Sequence, residues 1–188
     1  MLRGAVEAAH AAVKQASKDQ PQLEGMGTTV VACMLHDDRV AVAHVGDSRL
    51  YRFRDGQLEQ LTQDHTMLEE LIAKGFYSRE EALQQVRRNI LTRAVGTGDL
   101  ITVDLLDEPL AVGEILLLCS DGLTDMLSDD EIRLTLLEFA DRLEEAADKL
   151  IAKANERGGK DNVSVVLASV DKPFAGGKRL LEKLASWF

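Results

Sequence analysis

Leu116-Leu117-Leu118-Cys119-Ser120-Asp121-Gly122-Leu123-Thr124-Asp125 is the stretch from which the architecture can be read. Four apolar residues in a row ask for burial on both faces, so the run reads as an interior strand. Directly after it the chain delivers a carboxylate and a glycine. Asp161 stands in the same relation to a second strand pattern, in Gly158-Gly159-Lys160-Asp161-Asn162 before Val163 to Val170. Asp47 closes a third, Val40-Ala41-Val42-Ala43-His44-Val45-Gly46-Asp47. Each of these acids lies beside a Gly or Asn at the mouth of an apolar strand. A buried carboxylate is costly unless something positive satisfies it, and no Lys or Arg lies within two residues of Asp121. A cation answers that need. Carboxylate ligands without a His or Cys cluster favour a hard ion, magnesium or manganese over zinc. Taken alone, Asp121-Gly122 reads equally well as an ordinary turn after a strand.

The 188 residues, 45% hydrophobic and 29% charged, suffice for one globular domain with a sizeable core. A net charge of −10 argues against nucleic-acid binding and against a basic patch on anionic membranes. Cys33 and Cys119 fall inside apolar strand patterns and do not make a disulfide framework. Leu2 to Lys18 mixes Ala with charge, unlike a signal peptide, and no run approaches the roughly 18 apolar residues of a membrane span. The expectation is a soluble, cytoplasmic protein.

In chain order, Leu2 to Lys18 reads as a helix with Ala5, Ala9, Ala12, Val13 and Ala16 on its apolar face. Thr28 to Leu35 and Arg39 to Val45 read as antiparallel strands around Asp37-Asp38. Leu50 to Arg54 alternates apolar and basic residues, the pattern of a half-exposed strand, and Asp55-Gly56 turns it into Gln57 to Leu61. Thr66 with Glu69, and Ser78 with Glu81, are capping-box patterns for two short helices, so residues 67–89 form a helical insertion, either a flap or a packing insert. Strands at Ile101–Leu106 and Glu114–Cys119 follow, then a helix capped by Ser128 over Asp129–Phe139 and another over Asp141–Glu156. The tail, residues 172–188, is amphipathic: Leu180, Leu181, Leu184, Trp187 and Phe188 alternate with charge.

Six motifs occur in sequence: Gly27-Thr28-Thr29, Val45-Gly46-Asp47-Ser48-Arg49, Asp64-His65-Thr66, Leu91 to Gly96, Cys119-Ser120-Asp121-Gly122 and Gly159-Lys160-Asp161-Asn162. Together, in this order and spacing, they resemble the metal-dependent protein phosphatases of type 2C (the PPM family), in particular the bacterial members, over Met1 to about Val170. The resemblance implies an α+β fold, a four-layer αββα sandwich of two antiparallel sheets flanked by helices, with residues 1–171 as the phosphatase domain. It implies hydrolysis of phosphoserine and phosphothreonine monoesters by water activated between two Mn2+ or Mg2+ ions, with no covalent enzyme intermediate. By position Asp121 and Asp161 correspond to direct ligands of one metal. Asp47, with Asp121, corresponds to the holder of a third, weaker metal in bacterial members. Gly122 and Asn162 correspond to residues supporting those acids, and His65 to a structural turn residue rather than a general acid. The implied partners are phosphorylated proteins, substrates of a bacterial serine/threonine kinase, and residues 67–89 correspond to the flap beside the site.

One departure stands against the family pattern. Its opening strands, with an Arg, a Glu-Asp pair and an Asp-Gly-x-Gly-Gly motif supplying the bridging carboxylate, have no counterpart in this chain, and Glu24-Gly25-Met26-Gly27 lacks the Asp. The expectation is therefore an N-terminally incomplete sandwich holding half a metal shell. Two functional readings follow: a serine/threonine phosphatase, or a non-catalytic phosphatase-like module that binds phosphoproteins or partners.

Overall fold

A computed structural model of the chain describes residues 1–87 and 89–172. In chain order the elements are helix α1 (Leu2–Asp19) and strands β1 (Val30–His36), β2 (Arg39–Val45), β3 (Arg49–Arg54) and β4 (Gln57–Gln60). Short helices α2 (Met67–Ala73) and α3 (Arg79–Gln85) precede β5 (Asp104–Pro109) and β6 (Ile115–Cys119). One-turn helix α4 (Asp121–Thr124), α5 (Asp129–Glu138), α6 (Leu143–Glu156) and β7 (Val165–Ser169) complete the fold. The strands form two antiparallel sheets, ordered β1-β2-β5 and β4-β3-β6-β7.

Side-chain alternation sorts the strand residues into three apolar cores, one between each pair of layers. Val40 and Val42 of β2 meet Leu50 of β3 and Leu116 of β6 between the sheets. The opposite faces of those strands look outward: Ala43 and Val45 pack with Val6, Val95 and Val103 on the α1 side. Tyr51, Phe53, Ile115 and Leu117 pack under Ile132 and Leu136 of α5 and Leu150 of α6. That double demand explains the unbroken apolar run of β6, whose Leu117 pairs with Tyr51 on one side and Leu167 on the other. The fold is the αββα arrangement that the motifs implied.

Several local expectations change. β3 is buried rather than half-exposed, because Arg52 lies between the sheets and reaches Glu59 at 2.7 Å, Glu108 at 3.5 Å and the Pro109 carbonyl at 3.3 Å. The strand expected at Ile101–Leu106 runs instead over Asp104–Pro109. Ile101 and Val103 are drawn into the core under α1, while β2 pairs from Arg39↔Pro109 to His44↔Asp104. Pro109 is tolerated at the end of an edge strand, where a missing N–H breaks no ladder. On α1 the inward face is Leu2, Val6, His10 and Val13, and Ala5, Ala9 and Ala12 are exposed. Larger side chains remove more apolar surface from water, so they win the inward face.

The capping boxes of Ser78 with Glu81 and Ser128 with Glu131 form completely. That of Thr66 forms by half: its hydroxyl accepts from the Glu69 N–H at 3.3 Å, but the Glu69 carboxylate is taken by Arg79 at 2.8 and 3.0 Å. The bidentate pair ties α2 to α3. The amphipathic tail lies, beyond Lys172, outside the described residues.

Candidate metal centre

The chain passes from one sheet to the other at Gly46-Asp47-Ser48, between β2 and β3. Gly46 has φ 114°, and a Cβ there would stand 2.4 Å from the Thr29 side chain. Only glycine fits this crossing. Ser48 and Thr29 share a hydroxyl–hydroxyl bond of 2.8 Å. Arg49 forks onto Asp64, with Nε at 2.9 Å and Nη2 at 2.7 Å, and its Nη1 donates to the Tyr51 hydroxyl at 2.8 Å. The Gly-Asp-Ser-Arg and Asp-His-Thr motifs are thus two halves of one cluster.

Asp121 opens α4 immediately after β6, so the ordinary-turn reading gives way to a helical turn. Asp125 lies one turn on. Gly122 presses against the loop before β7: a Cβ there would be 2.4 Å from the Asn162 carbonyl and 3.4 Å from that of Asp161. Ser120 binds the same loop, donating from Oγ to the Asn162 carbonyl at 3.1 Å and accepting from the Ser164 N–H at 3.0 Å. Asn162 supports Asp161 through its backbone, whose N–H donates to Oδ1 at 2.7 Å.

The acids converge, though not in one cavity. Asp47, Asp64, Asp121 and Asp125 line a cavity of about 100 Å³ together with Leu68 of α2 and Leu83 of α3. Asp161 lines a separate opening with Asn155 and Lys160, yet its charge is felt at Asp121. Burial, and then the neighbouring Asp121 carboxylate, pushes Asp47 up to about 6. Burial, Asp125 and Asp161 raise Asp121. Among the described residues no Lys or Arg pairs with Asp47, Asp121, Asp125 or Asp161. Arg49 and Arg79 also line the cavity of Asp47, Asp121 and Asp125 but are engaged by Asp64 and Glu69, and the remaining, mutually repelling carboxylates, offering only oxygen, suit a hard divalent ion. Among the described residues, however, no three acidic, His or Cys side chains gather as one complete ligand set.

Behind the acids, His65 is buried and joins Gly46 to Asp104. The His44 ring lies 4.6 Å from it, with both nitrogens buried and without a hydrogen-bond partner among the described residues. Burial, aided by His65, lowers His44 to about 4 and keeps it neutral. Sequence reading had not singled out Asp125 or Asp104. The four-residue step from Asp121 to Asp125 is a helical spacing that could have flagged the first. Asp104, far away in sequence, carried no such signal.

The model of the protein phosphatase 2C family matches residues 1–163. The serine/threonine phosphatase stp of Listeria monocytogenes serotype 4b is 43% identical over 155 residues, covering 82% of this chain and 61% of that protein. The chain thus spans less than two thirds of that relative's length. The crystal structure of the Mycobacterium tuberculosis phosphatase PstP/Ppp superposes with a TM-score of 0.85 at 38% identity, over 91% of this chain and 72% of that one. A structure of the PstP catalytic domain in complex with two manganese ions gives a TM-score of 0.81 at 37% identity, over 91% of this chain and 70% of that one. A family match across most of the chain, together with relatives of this identity that share its two-sheet fold, makes the chain a member of the protein phosphatase 2C family.

Proposed function

We propose that the chain carries the acidic side of a protein serine/threonine phosphatase site and acts on phosphoserine and phosphothreonine monoesters in proteins phosphorylated by a bacterial serine/threonine kinase. The observation that carries this reading is the convergence of Asp47, Asp121, Asp125 and Asp161 without a paired Lys or Arg among the described residues, in a chain of this family. Asp121 and Asp161 would hold one Mn2+ or Mg2+ ion, and Asp47 with Asp121 a further, weaker one. Bound cations supply an activated water and offset charge on the phosphoryl oxygens. The chain's own contribution is placement: Gly122 brings β6 and the Asp161 loop together, Asn162 fixes the Asp161 carboxylate, and α2 and α3 cover the Asp47–Asp121 cavity from one side as a flap. The Arg49–Asp64 fork keeps that guanidinium from neutralising the metal acids. Two free cysteines, Cys33 and Cys119, suit a reducing, cytoplasmic setting.

The test is manganese-dependent hydrolysis of a phosphothreonine peptide by this chain, with Asp121→Ala and Asp161→Ala alongside. With only half of the metal shell in this chain, turnover is expected to be weak or absent, and any turnover should need manganese and fall at least 100-fold in both variants, on the scale of losing an electrostatic stabiliser. Turnover indifferent to manganese or to both substitutions would sink the reading. Manganese-dependent peptide binding without turnover would favour the phosphoprotein-binding module instead.

A further inference from the structure

His65 is 1% exposed and has no part in the chemistry above, yet both its ring nitrogens are bonded. Its Nδ1 accepts the Gly46 N–H at 3.0 Å, and its Nε2 lies 3.1 Å from Asp104 Oδ2. A backbone amide can only donate, so Nδ1 is the bare nitrogen, Nε2 carries the proton, and Asp104 accepts it. The other Asp104 oxygen receives Arg93 Nη1 at 2.7 Å. The main chain of His65 doubles the grip: its N–H donates to the Gly46 carbonyl at 2.8 Å, and its own carbonyl accepts from the Thr92 N–H at 2.9 Å. One residue therefore holds both polar groups of Gly46. The next residue is Asp47, and at φ 114° the Gly46 backbone has many alternatives to this conformation.

We propose that Asp104 and His65 are positioning residues that lock the Gly46 backbone and so aim the Asp47 carboxylate, an inference that rests on the reading of Asp47 as a metal ligand. Asp104 fixes the His65 tautomer, the tautomer presents a bare Nδ1 to Gly46, and the fixed Gly46 sets the direction of the residue after it. The arrangement parallels the carboxylate–histidine pairs of metal sites, in which the carboxylate orients the metal-bound ring, although here the histidine holds backbone rather than metal. Arg93 anchors the chain's far end.

The experiment compares wild type with Asp104→Ala, which removes the acceptor, and Asp104→Asn, which keeps one. The Asp104 side chain is 41% exposed, so its truncation leaves little cavity. In the metal-free protein the readouts are the His65 ring nitrogen resonances, Gly46 amide exchange and the Asp47 carboxyl carbon resonance; manganese affinity is then measured by calorimetry. Wild type and Asp104→Asn should show a single Nε2–H tautomer, a protected Gly46 amide and matching Asp47 resonances. Asp104→Ala should mix tautomers, exchange Gly46 at least ten-fold faster, move the Asp47 resonance and weaken manganese binding about ten-fold. An Asp104→Ala protein with unchanged ring, amide and Asp47 signals overturns the proposal, as does one with altered signals and a manganese affinity within two-fold of wild type. A wild type that takes up no manganese brings down the metal reading instead, and the Asp47 resonance then decides the positioning claim by itself.

Discussion

A carboxyl that holds its proton to about pH 6 leaves a mark on stability. Asp47 titrates near 3.8 when unfolded and near 6 in the fold, so the folded state binds the proton more tightly. Stability from this group is present below pH 3.8 and is lost as pH rises to 6, where the ionised acid sits close to Asp121. Asp47→Asn should therefore unfold close to wild type near pH 3.8 and at a higher temperature above pH 6, measured by metal-free thermal melts. Added manganese should reverse the order by stabilising the wild type. Gly122→Ala tests the other contact: with a Cβ 2.4 Å from the Asn162 carbonyl, it should cost about 1–3 kcal/mol and loosen the Asp161 loop, read by denaturant unfolding and by amide exchange at Asn162. Much of this was legible beforehand, because an acid beside a glycine at a strand mouth is a local pattern. The Asp104–His65 bond was not, since it joins residues 39 apart that meet only once β2 and β5 pair.

Elements defined by one dominant demand were readable to within a residue or two. β2 and β6 needed burial on both faces, and α5 had a cap, a box and acids in its first turn. Elements where two demands compete were displaced. β5 shifted by three residues because Ile101 and Val103 serve the α1 core better than the sheet, and β3 looked half-exposed although Arg52 is buried between the sheets and reaches out to Glu59 and Glu108 at their margin. Leu117→Ala should be the more damaging kind of change, costing about 2–5 kcal/mol in denaturant unfolding, since Leu117 is fully buried at the centre of the four-stranded sheet. Ser78→Ala should act locally. Losing the cap of α3 costs about 1 kcal/mol, and the expected signature is faster amide exchange over α3 with little change in the global melt.

For the molecule as a whole, both sheets have open edges among the described residues, and β7 presents Val166 at 59% exposure on one of them. Unpaired strand edges with exposed apolar residues recruit other chains. Light scattering should show wild-type mass rising with concentration, and Val166→Lys should hold the protein at monomer mass; a monodisperse wild type at high concentration would contradict the expectation. Asp47 rides on the crossing between the sheets, whereas Asp121 and Asp161 ride on the ends of β6 and β7 within a single sheet. The layer of Val40, Val42, Leu50 and Leu116 is then the spacer of a calliper whose jaws are acids. A methylene added to or taken from that layer, with no atom of the acids altered, would reset the gap between Asp47 and the acids of the other sheet.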